Sequence, residues 1–150
     1  MLKVSDSLVL IIDIQDKLVK ACKDSETIVK RTSILANAAK ILSIPVVVTE
    51  QYPQGLGGTA EDLRCAIGEG EYVEKTYFSA LKESGFKELI AKYDKKQIVL
   101  CGIETHICVY QTCMELLKEG YDVYVIEECC SSRNAYEHSM GMDLMKQEKY

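Results

Sequence analysis

The run Leu8-Val9-Leu10-Ile11-Ile12, which ends at Asp13, is the stretch of sequence that decides the fold. Five consecutive apolar residues do not show the alternation of a strand that has one face in water. A continuous run of this length is typical of a strand buried on both faces, as in a parallel sheet covered by helices. We therefore predict a first strand over residues 8–14 of such a sheet.

Four more short apolar runs follow, and helical patterns separate them. The predicted strands cover residues 8–14, 46–50, 72–75, 97–102 and 121–126. The predicted helices cover residues 25–43, 59–66, 79–93 and 105–119, with a last helix from residue 134 onward. Strands that alternate with helices indicate right-handed βαβ units, and hence a three-layer α/β/α doubly wound parallel sheet.

Length and charge restrict the class of protein. The 150 residues fit one domain, 1–150, and 47% hydrophobic and 27% charged residues are ordinary for a globular chain. The formal net charge is −5 with both signs interspersed, so we expect neither nucleic acid nor a membrane surface as a partner. No apolar run approaches the roughly 20 residues of a membrane span, and no signal peptide is recognisable. We expect a cytoplasmic protein.

The cysteines do not form a metal-binding pattern. Seven are present, with no Cys-x-x-Cys pair and only two histidines, His106 and His138. Zinc ribbons and fingers need closely spaced pairs of ligands, so this kind of site is disfavoured. In a reducing compartment most of these thiols should be buried, with room for one reactive thiol.

Three side chains with catalytic chemistry fall at the carboxyl ends of predicted strands, where open parallel sheets bind ligands. Asp13 ends the first strand, Lys75 ends the third, and Cys108 lies in the first turn of the helix after the fourth. With the strand order 3-2-1-4-5, Asp13 and Cys108 face each other and Lys75 reaches across. Taken singly, such residues are more often a turn cap, a solvated lysine and a core cysteine.

Together the three residue types suit nucleophilic catalysis. A helix N-terminus and a nearby ammonium should both stabilise the Cys108 thiolate. A carboxylate can take the thiol proton and return it to a leaving amine. Unpaired N–H groups at the start of the helix can hold an oxyanion.

At these residues the sequence resembles the isochorismatase-like cysteine hydrolases, the superfamily of nicotinamidases and carbamoylsarcosine amidohydrolases. The resemblance rests on three segments: Ile11-Ile12-Asp13-Ile14-Gln15, Glu74-Lys75-Thr76-Tyr77-Phe78-Ser79-Ala80 and Cys101-Gly102-Ile103-Glu104-Thr105-His106-Ile107-Cys108-Val109. It extends from Leu8 to about Arg133, which is nearly the whole chain.

The resemblance implies a catalytic triad of Asp13, Lys75 and Cys108. It implies the strand order 3-2-1-4-5-6, of which this sequence lacks the sixth strand. It further implies a cis peptide between Ile103 and Glu104, and an oxyanion hole made by the backbone N–H groups of Glu104 and Cys108. Members are commonly dimers or larger assemblies, so we expect a homo-oligomer.

Two departures from the family narrow the expected chemistry. Isochorismatases proper lack the cysteine nucleophile, which disfavours ether hydrolysis of the chorismate type. Nicotinamidases carry an Asp-x-His metal motif after the second strand, where this chain has Thr49-Glu50-Gln51-Tyr52-Pro53. We therefore expect no metal site and no cofactor.

The sequence thus predicts a metal-independent hydrolase of a small-molecule amide or related C–N bond, acting through a thioester. Substrate contacts are expected from residues near the triad: Gln15, Tyr52, Leu56, Tyr77 and Phe78. Ordinary loop or core packing is an equally good interpretation of each. Two alternatives stay open: a non-catalytic binding or scaffold protein on the same fold, and a thiol redox sensor that uses the vicinal Cys129-Cys130.

Overall fold

Five parallel strands form the centre of the molecule in the computed structural model, which describes residues 1–148. They are β1 (Ser7–Ile12), β2 (Val46–Gln51), β3 (Glu71–Lys75), β4 (Gln97–Ile103) and β5 (Asp122–Ser131). Their order is β3-β2-β1-β4-β5, and every neighbouring pair is parallel. The predicted fold class and strand order are confirmed.

Helices cover both faces of this sheet. They are α1 (Asp16–Ala21), α2 (Ser25–Ile41), α3 (Pro53–Leu56), α4 (Glu61–Ile67), α5 (Phe86–Lys92), α6 (Tyr110–Lys118) and α7 (Ala135–Glu148). Because crossovers between parallel strands are right-handed, α1, α2 and α4 lie on one face, and α5, α6 and α7 on the other. Within residues 1–148, no helix is long and apolar enough to cross a membrane.

The central strands are buried on both faces, as the opening apolar run predicted. All six residues of β1 and all seven of β4 are buried. β1 lies between β2 and β4, and Ile12 is in register with Thr49 on one side and Gly102 on the other. The carboxyl ends of these strands therefore meet at one edge of the sheet.

Backbone angles explain two predicted boundaries that were wrong. β1 ends at Ile12, because Asp13 takes a positive φ of 53° and leaves the sheet. The helix predicted over residues 79–93 is split into a 3-10 turn, Ala80–Lys82, and α5, since Gly85 adopts φ +82° between them.

The fifth strand is longer than predicted, because it contains a bulge. Val125 pairs with Leu100, and Cys130 pairs with Gly102, so four residues of β5 lie opposite Cys101 alone. Pairing then resumes at the carboxyl end as far as Ser131. The bulge breaks the apolar pattern of the strand with Glu127 and Glu128, which are exposed.

Gly102 allows β4 to pass close to β1 at the edge where the functional residues meet. Its φ is +139°, and a Cβ added there would contact the carbonyl oxygen of Ile12 and lie 2.7 Å from the Ile12 nitrogen. These are backbone atoms of the adjacent strand, which cannot move aside. Position 102 therefore accepts only glycine without displacing β1.

We expect Gly102→Ala to lower the free energy of unfolding by about 3 kcal/mol, the upper end of the usual cost of overpacking. Gly85→Ala is the matched control: Gly85 also has a positive φ, of +82°, but no atom lies within 4 Å of an added Cβ. It should cost about 1 kcal/mol. Urea unfolding measures both. If both variants lost the same free energy of unfolding, the positive φ alone, and not the close approach of β1 and β4, would explain the need for glycine at position 102.

Candidate active site

The ends of three adjacent strands bring together a buried ion pair. Asp13 follows β1, Lys75 ends β3, and Gln51, which ends β2 between them, is in register with Lys75. The Nζ atom of Lys75 lies 2.7 Å from Oδ2 of Asp13, and both side chains are 0% exposed. The sequence predicted that Lys75 reaches across to this edge of the sheet, and its ammonium is in direct contact with the Asp13 carboxylate.

Oxygen atoms surround the Lys75 ammonium. Besides the Asp13 carboxylate, it donates to Oε1 of Gln51 at 2.7 Å and to the carbonyl oxygens of Tyr77 at 3.0 Å and Phe78 at 3.1 Å. A buried ammonium is tolerated only where acceptors replace its hydration shell. The strand end of β2 and the turn after β3 together supply that shell.

The Asp13 carboxylate is fixed at its other oxygen. The Thr49 hydroxyl donates to Oδ1 of Asp13 at 2.7 Å, and the backbone N–H of Asp13 donates to the carbonyl of Thr49 at 3.2 Å. The φ of 53° at Asp13 turns its side chain out of the strand direction, in a region that aspartate tolerates better than most residues. Thr49 thus orients the carboxylate toward Lys75.

Cys108 lies against this pair at the start of the helix after β4. It belongs to a π-helical turn, Thr105–Val109, in which the N–H of Val109 donates to the carbonyl of Glu104 at 3.2 Å. π-Turns inside helices occur frequently at functional sites. Asp13 and Lys75 both act on the thiol and shift its pKa in opposite directions, and the residue is 8% exposed. All three predicted triad residues therefore meet.

The Lys75 ammonium lowers the pKa of the Cys108 thiol, as the sequence analysis expected, but two opposing effects are larger. Burial is the largest effect, and the Asp13 carboxylate acts in the same direction. Together they outweigh the ammonium and raise the pKa of the Cys108 thiol to about 12. Removing the thiol from water disfavours its anion, and a carboxylate in contact repels it. The resting cysteine is therefore a protonated thiol with a carboxylate beside it.

The peptide that precedes the π-turn has the configuration that the family resemblance implied. The bond between Ile103 and Glu104 is cis. Glu104 is buried, and its carboxylate accepts the backbone N–H of Arg133 at 3.1 Å and pairs with the Arg133 Nε at 3.4 Å. Of the two residues predicted to supply oxyanion N–H groups, Glu104 immediately precedes the turn and Cys108 is its fourth residue.

Of the predicted substrate contacts, Gln15 has a different environment from the rest. It is 0% exposed, and its amide bonds only backbone: it donates to the carbonyls of Gln51 at 2.9 Å and Gly57 at 2.7 Å, and accepts the N–H of Gln51 at 2.6 Å. Gln15 therefore holds the loop of residues 51–58 and has no polar atom left for a ligand.

The other predicted contacts lie on segments that border the ion pair. Tyr52, Tyr77 and Phe78 are 57%, 54% and 54% exposed, and Leu56 is half-buried. The carbonyls of Tyr77 and Phe78 bond Lys75, and the N–H of Tyr52 donates to the Lys75 carbonyl at 3.0 Å. Three aromatic side chains in water next to a buried charge pair are available to a small ligand.

Residues of β2 that the sequence analysis did not assign complete the site. Thr49 and Gln51 bond the ion pair directly. Glu50 is buried and accepts the N–H of Thr59 at 2.6 Å and its hydroxyl at 2.7 Å, which ties down the far end of the 51–58 loop. In the sequence, Thr49, Glu50 and Gln51 could be recognised only as a run of polar residues at the end of an otherwise apolar strand.

One group of possible metal ligands is present within residues 1–148. Ligand atoms of Glu104, His106 and Glu137 lie within 4.8 Å of one another. The carboxylate of Glu104 already pairs with Arg133, and the imidazole of His106 contacts Ser132 Oγ at 3.0 Å and Glu137 at 3.5 Å. These partners account for the grouping without an ion.

The remaining thiols do not have the environment of a redox sensor. None of the seven cysteines, which all lie in the described part of the chain, forms a disulfide. Burial raises the pKa of Cys129, raises that of Cys130 to about 12, and raises that of Cys101 well above its usual range. Redox-sensing thiols have lowered pKa values and are accessible, so the vicinal pair is better suited to the core.

We expect alkylation of Cys108 to accelerate about tenfold per pH unit from pH 7 to pH 10 without a plateau, because the thiolate fraction rises in this way below a pKa of about 12. Iodoacetamide labelling with peptide mapping measures the rate, and the exposed Cys65 provides an internal reference. A plateau below pH 9 would contradict the protonated resting thiol.

The ion pair also predicts a stability pattern. Lys75→Met or Asp13→Asn alone should lower the free energy of unfolding by about 3–5 kcal/mol, because each leaves a buried charge without its partner. The double variant should lose clearly less than the sum of the two losses, since no charge is left uncompensated. Chemical denaturation of the four proteins tests this expectation, which additive losses would refute.

Comparison with known proteins identifies the family. The sequence matches the model of the isochorismatase domain over residues 7–149. It is 35% identical to the secreted isochorismatase effector Isc1 of Phytophthora sojae over 145 residues, which cover 94% of this chain and 69% of that protein. The structure of MAR1 ribonuclease from Caenorhabditis elegans has a TM-score of 0.91 at 33% identity, covering 97% of this chain and 75% of that one. The YcaC gene product of Escherichia coli, an octameric hydrolase of unknown specificity, has a TM-score of 0.91 at 23% identity and covers 97% and 74%. The chain belongs to the isochorismatase family and has its hydrolase fold.

Proposed function

We propose that this protein is a metal-independent cysteine hydrolase that cleaves a small amide or related C–N bond through a thioester. The observation that carries the proposal is the contact of the Cys108 thiol with the buried Asp13–Lys75 pair. A nucleophile, a proton acceptor and a fixed positive charge are the groups that acyl transfer requires. Cys108, Asp13 and Lys75, which meet at one sheet edge, would supply these three groups.

In the first half of the reaction, the Cys108 sulfur forms a bond to the carbonyl carbon while the thiol proton passes to the Asp13 carboxylate. The carbonyl π electrons move to oxygen, where the N–H groups of Glu104 and Cys108 would hold the negative charge. When the intermediate collapses, the C–N bond breaks and Asp13 returns the proton to the leaving nitrogen. An acyl thioester and an amine result.

In the second half, water attacks the thioester and gives a proton to Asp13. Collapse of this intermediate breaks the C–S bond, and the thiolate regains the proton as the carboxylic acid is released. Lys75 stays charged throughout and stabilises the carboxylate and the sulfur anion in turn. A resting thiol with a pKa of about 12 fits this scheme, because proton transfer to Asp13 accompanies attack and no standing thiolate is needed.

The expected substrate is small and uncharged near its reacting carbonyl. The Lys75 ammonium is already bonded to Asp13 and to three further oxygens, so it has no donor left for a substrate anion. The side chains of Tyr52, Leu56, Tyr77 and Phe78 would contact the apolar part of the substrate.

Other activities have less support from these residues. Hydrolysis of isochorismate is an ether cleavage that gives a cysteine nucleophile no carbonyl to attack. RNA cleavage, the activity named for the C. elegans relative, requires binding of a polyanion, which a net charge of −5 disfavours. A non-catalytic scaffold would have no need of a desolvated ion pair against a thiol, because such a pair contributes little net stability.

We further propose a homo-oligomer that acts in the cytoplasm. The octameric state of the E. coli relative supports assembly, and seven cysteines without a disulfide suit a reducing compartment. The secreted P. sojae relative shows that the family is not confined to one location. Light scattering after size-exclusion chromatography measures the mass of the assembly.

The proposed role of Asp13 predicts that Asp13→Asn speeds alkylation of Cys108 but slows amide hydrolysis. Asp13→Asn removes the charge that raises the thiol pKa, so Cys108 should be alkylated faster by iodoacetamide at pH 8. The same variant should hydrolyse amides about 10²–10⁴-fold more slowly, the usual loss when a general base is removed. Lys75→Met should slow both reactions, because the ammonium lowers the thiol pKa.

Ammonia release from a panel of short primary amides identifies a substrate, and acid quenching with intact-mass analysis detects the acyl enzyme. Cys108→Ala is the inactive control, and Cys65→Ala, which changes an exposed thiol, is the matched active control. A Cys108→Ala protein as active as wild type would exclude the thioester mechanism. Slower alkylation of Asp13→Asn would exclude the assigned role of Asp13.

A further inference from the structure

One face of α7 lies directly against the turn that carries Cys108. Glu137, His138 and Gly141 occupy helix positions i, i+1 and i+4, which lie within about 100° of one another around the axis. All three contact Thr105 or His106. Thr105 and His106 lie between Glu104 and Cys108 in the chain. The contacts of α7 therefore fall on the turn that carries Cys108.

Gly141 brings the backbones together. A Cβ added at this position would lie 2.9 Å from Cα of His106, 3.0 Å from its nitrogen and 3.1 Å from the carbonyl carbon of Thr105. Glycine is the poorest helix former apart from proline, yet it stands in the middle of a 14-residue helix. The obstacle is backbone and not a flexible side chain, so α7 can approach this closely only through glycine.

Two side-chain contacts reinforce the approach. The Thr105 hydroxyl and Nδ1 of His138 are 2.8 Å apart, and Thr105 is 0% exposed. Nε2 of His106 lies 3.5 Å from the Glu137 carboxylate. The side chain of Asn134 accepts the N–H of Glu137 at 2.9 Å and fixes the start of α7. The helix is thus anchored at the end that meets the turn.

We propose that α7 positions the turn that carries Cys108. Its positioning residues are Gly141, through close backbone contact, and His138, through its hydrogen bond to Thr105. The inference deepens the proposed function and rests on it, since it assigns to α7 the placement of the Glu104 and Cys108 N–H groups relative to the thiol. Neither Gly141 nor His138 would touch substrate. They act through the backbone at 105–106, where a displacement of 1 Å can cost about 10² in rate.

The test compares Gly141→Ala with Ser139→Ala in the full chain. Ser139 is exposed on the same helix, so its replacement improves helix propensity without meeting the turn. With the amide substrate found for wild type, Gly141→Ala should lower kcat about tenfold or more and change KM less than about twofold. Ser139→Ala should keep both values. Equal kcat in the two variants overturns the proposal.

A measurement on the thiol separates this inference from the proposed function. The ratio of Cys108 to Cys65 alkylation by iodoacetamide needs no amide substrate. It should change at least about threefold in Gly141→Ala and stay at the wild-type value in Ser139→Ala. If wild type hydrolyses no amide, the proposed function fails, and this ratio alone decides the role of α7. A lower melting temperature with an unchanged ratio would show a merely structural contact and overturn the inference.

Thr105→Val keeps the inference testable if Gly141→Ala does not fold. It removes the hydroxyl that contacts His138 with little change in shape. Thr32→Val on α2 is the matched control, because Thr32 is also 0% exposed and is remote in the sequence from the turn. Thr105→Val should change the alkylation ratio about threefold and Thr32→Val should not. Equal ratios overturn the role assigned to the hydrogen bond.

Discussion

The contact between Lys75 and Asp13 is the interaction on which the rest of the site depends. Both side chains are fully buried at 2.7 Å, and each charge would be very costly without its partner. The strand order makes the contact possible, because β2 separates the two strand ends and supplies Thr49 to the carboxylate and Gln51 to the ammonium. A central apolar sheet thus ends in a small polar cluster whose members satisfy one another.

The same pair acts on the Cys108 thiol, the proposed nucleophile. Burial raises the pKa of Cys108 most, the Asp13 carboxylate raises it as well, and the Lys75 ammonium lowers it. The outcome is a neutral thiol held beside a carboxylate, which limits oxidation and alkylation of the sulfur. A free thiolate would instead require the ammonium to dominate, which its contact with Asp13 and three further oxygens prevents.

Sequence reasoning found what depends on chain order and missed what depends on packing. Asp13, Lys75 and Cys108 were predictable, because each follows an apolar strand and parallel strands end at one edge. The direction of the thiol pKa was not, since it depends on how deeply the helix start is buried. The break at Gly85 and the bulge in β5 come from single backbone angles and pairings. The contact of Gly141 with the turn that carries Cys108 joins residues 35 positions apart in the chain, Gly141 and His106.

The 51–58 loop separates the proposed catalytic cluster from the side chains that would contact a substrate. Its backbone is tied by Gln15 at residues 51 and 57, and Glu50 binds Thr59 just beyond it. Gln51 therefore keeps its bond to Lys75 whatever side chains follow it, and Tyr52 can project into water without disturbing the ion pair. The proposed chemistry depends on atoms fixed from three strands, whereas the mouth of the site is formed by the exposed side chains of Tyr52, Tyr77 and Phe78. Specificity can change at the mouth while the reaction stays the same.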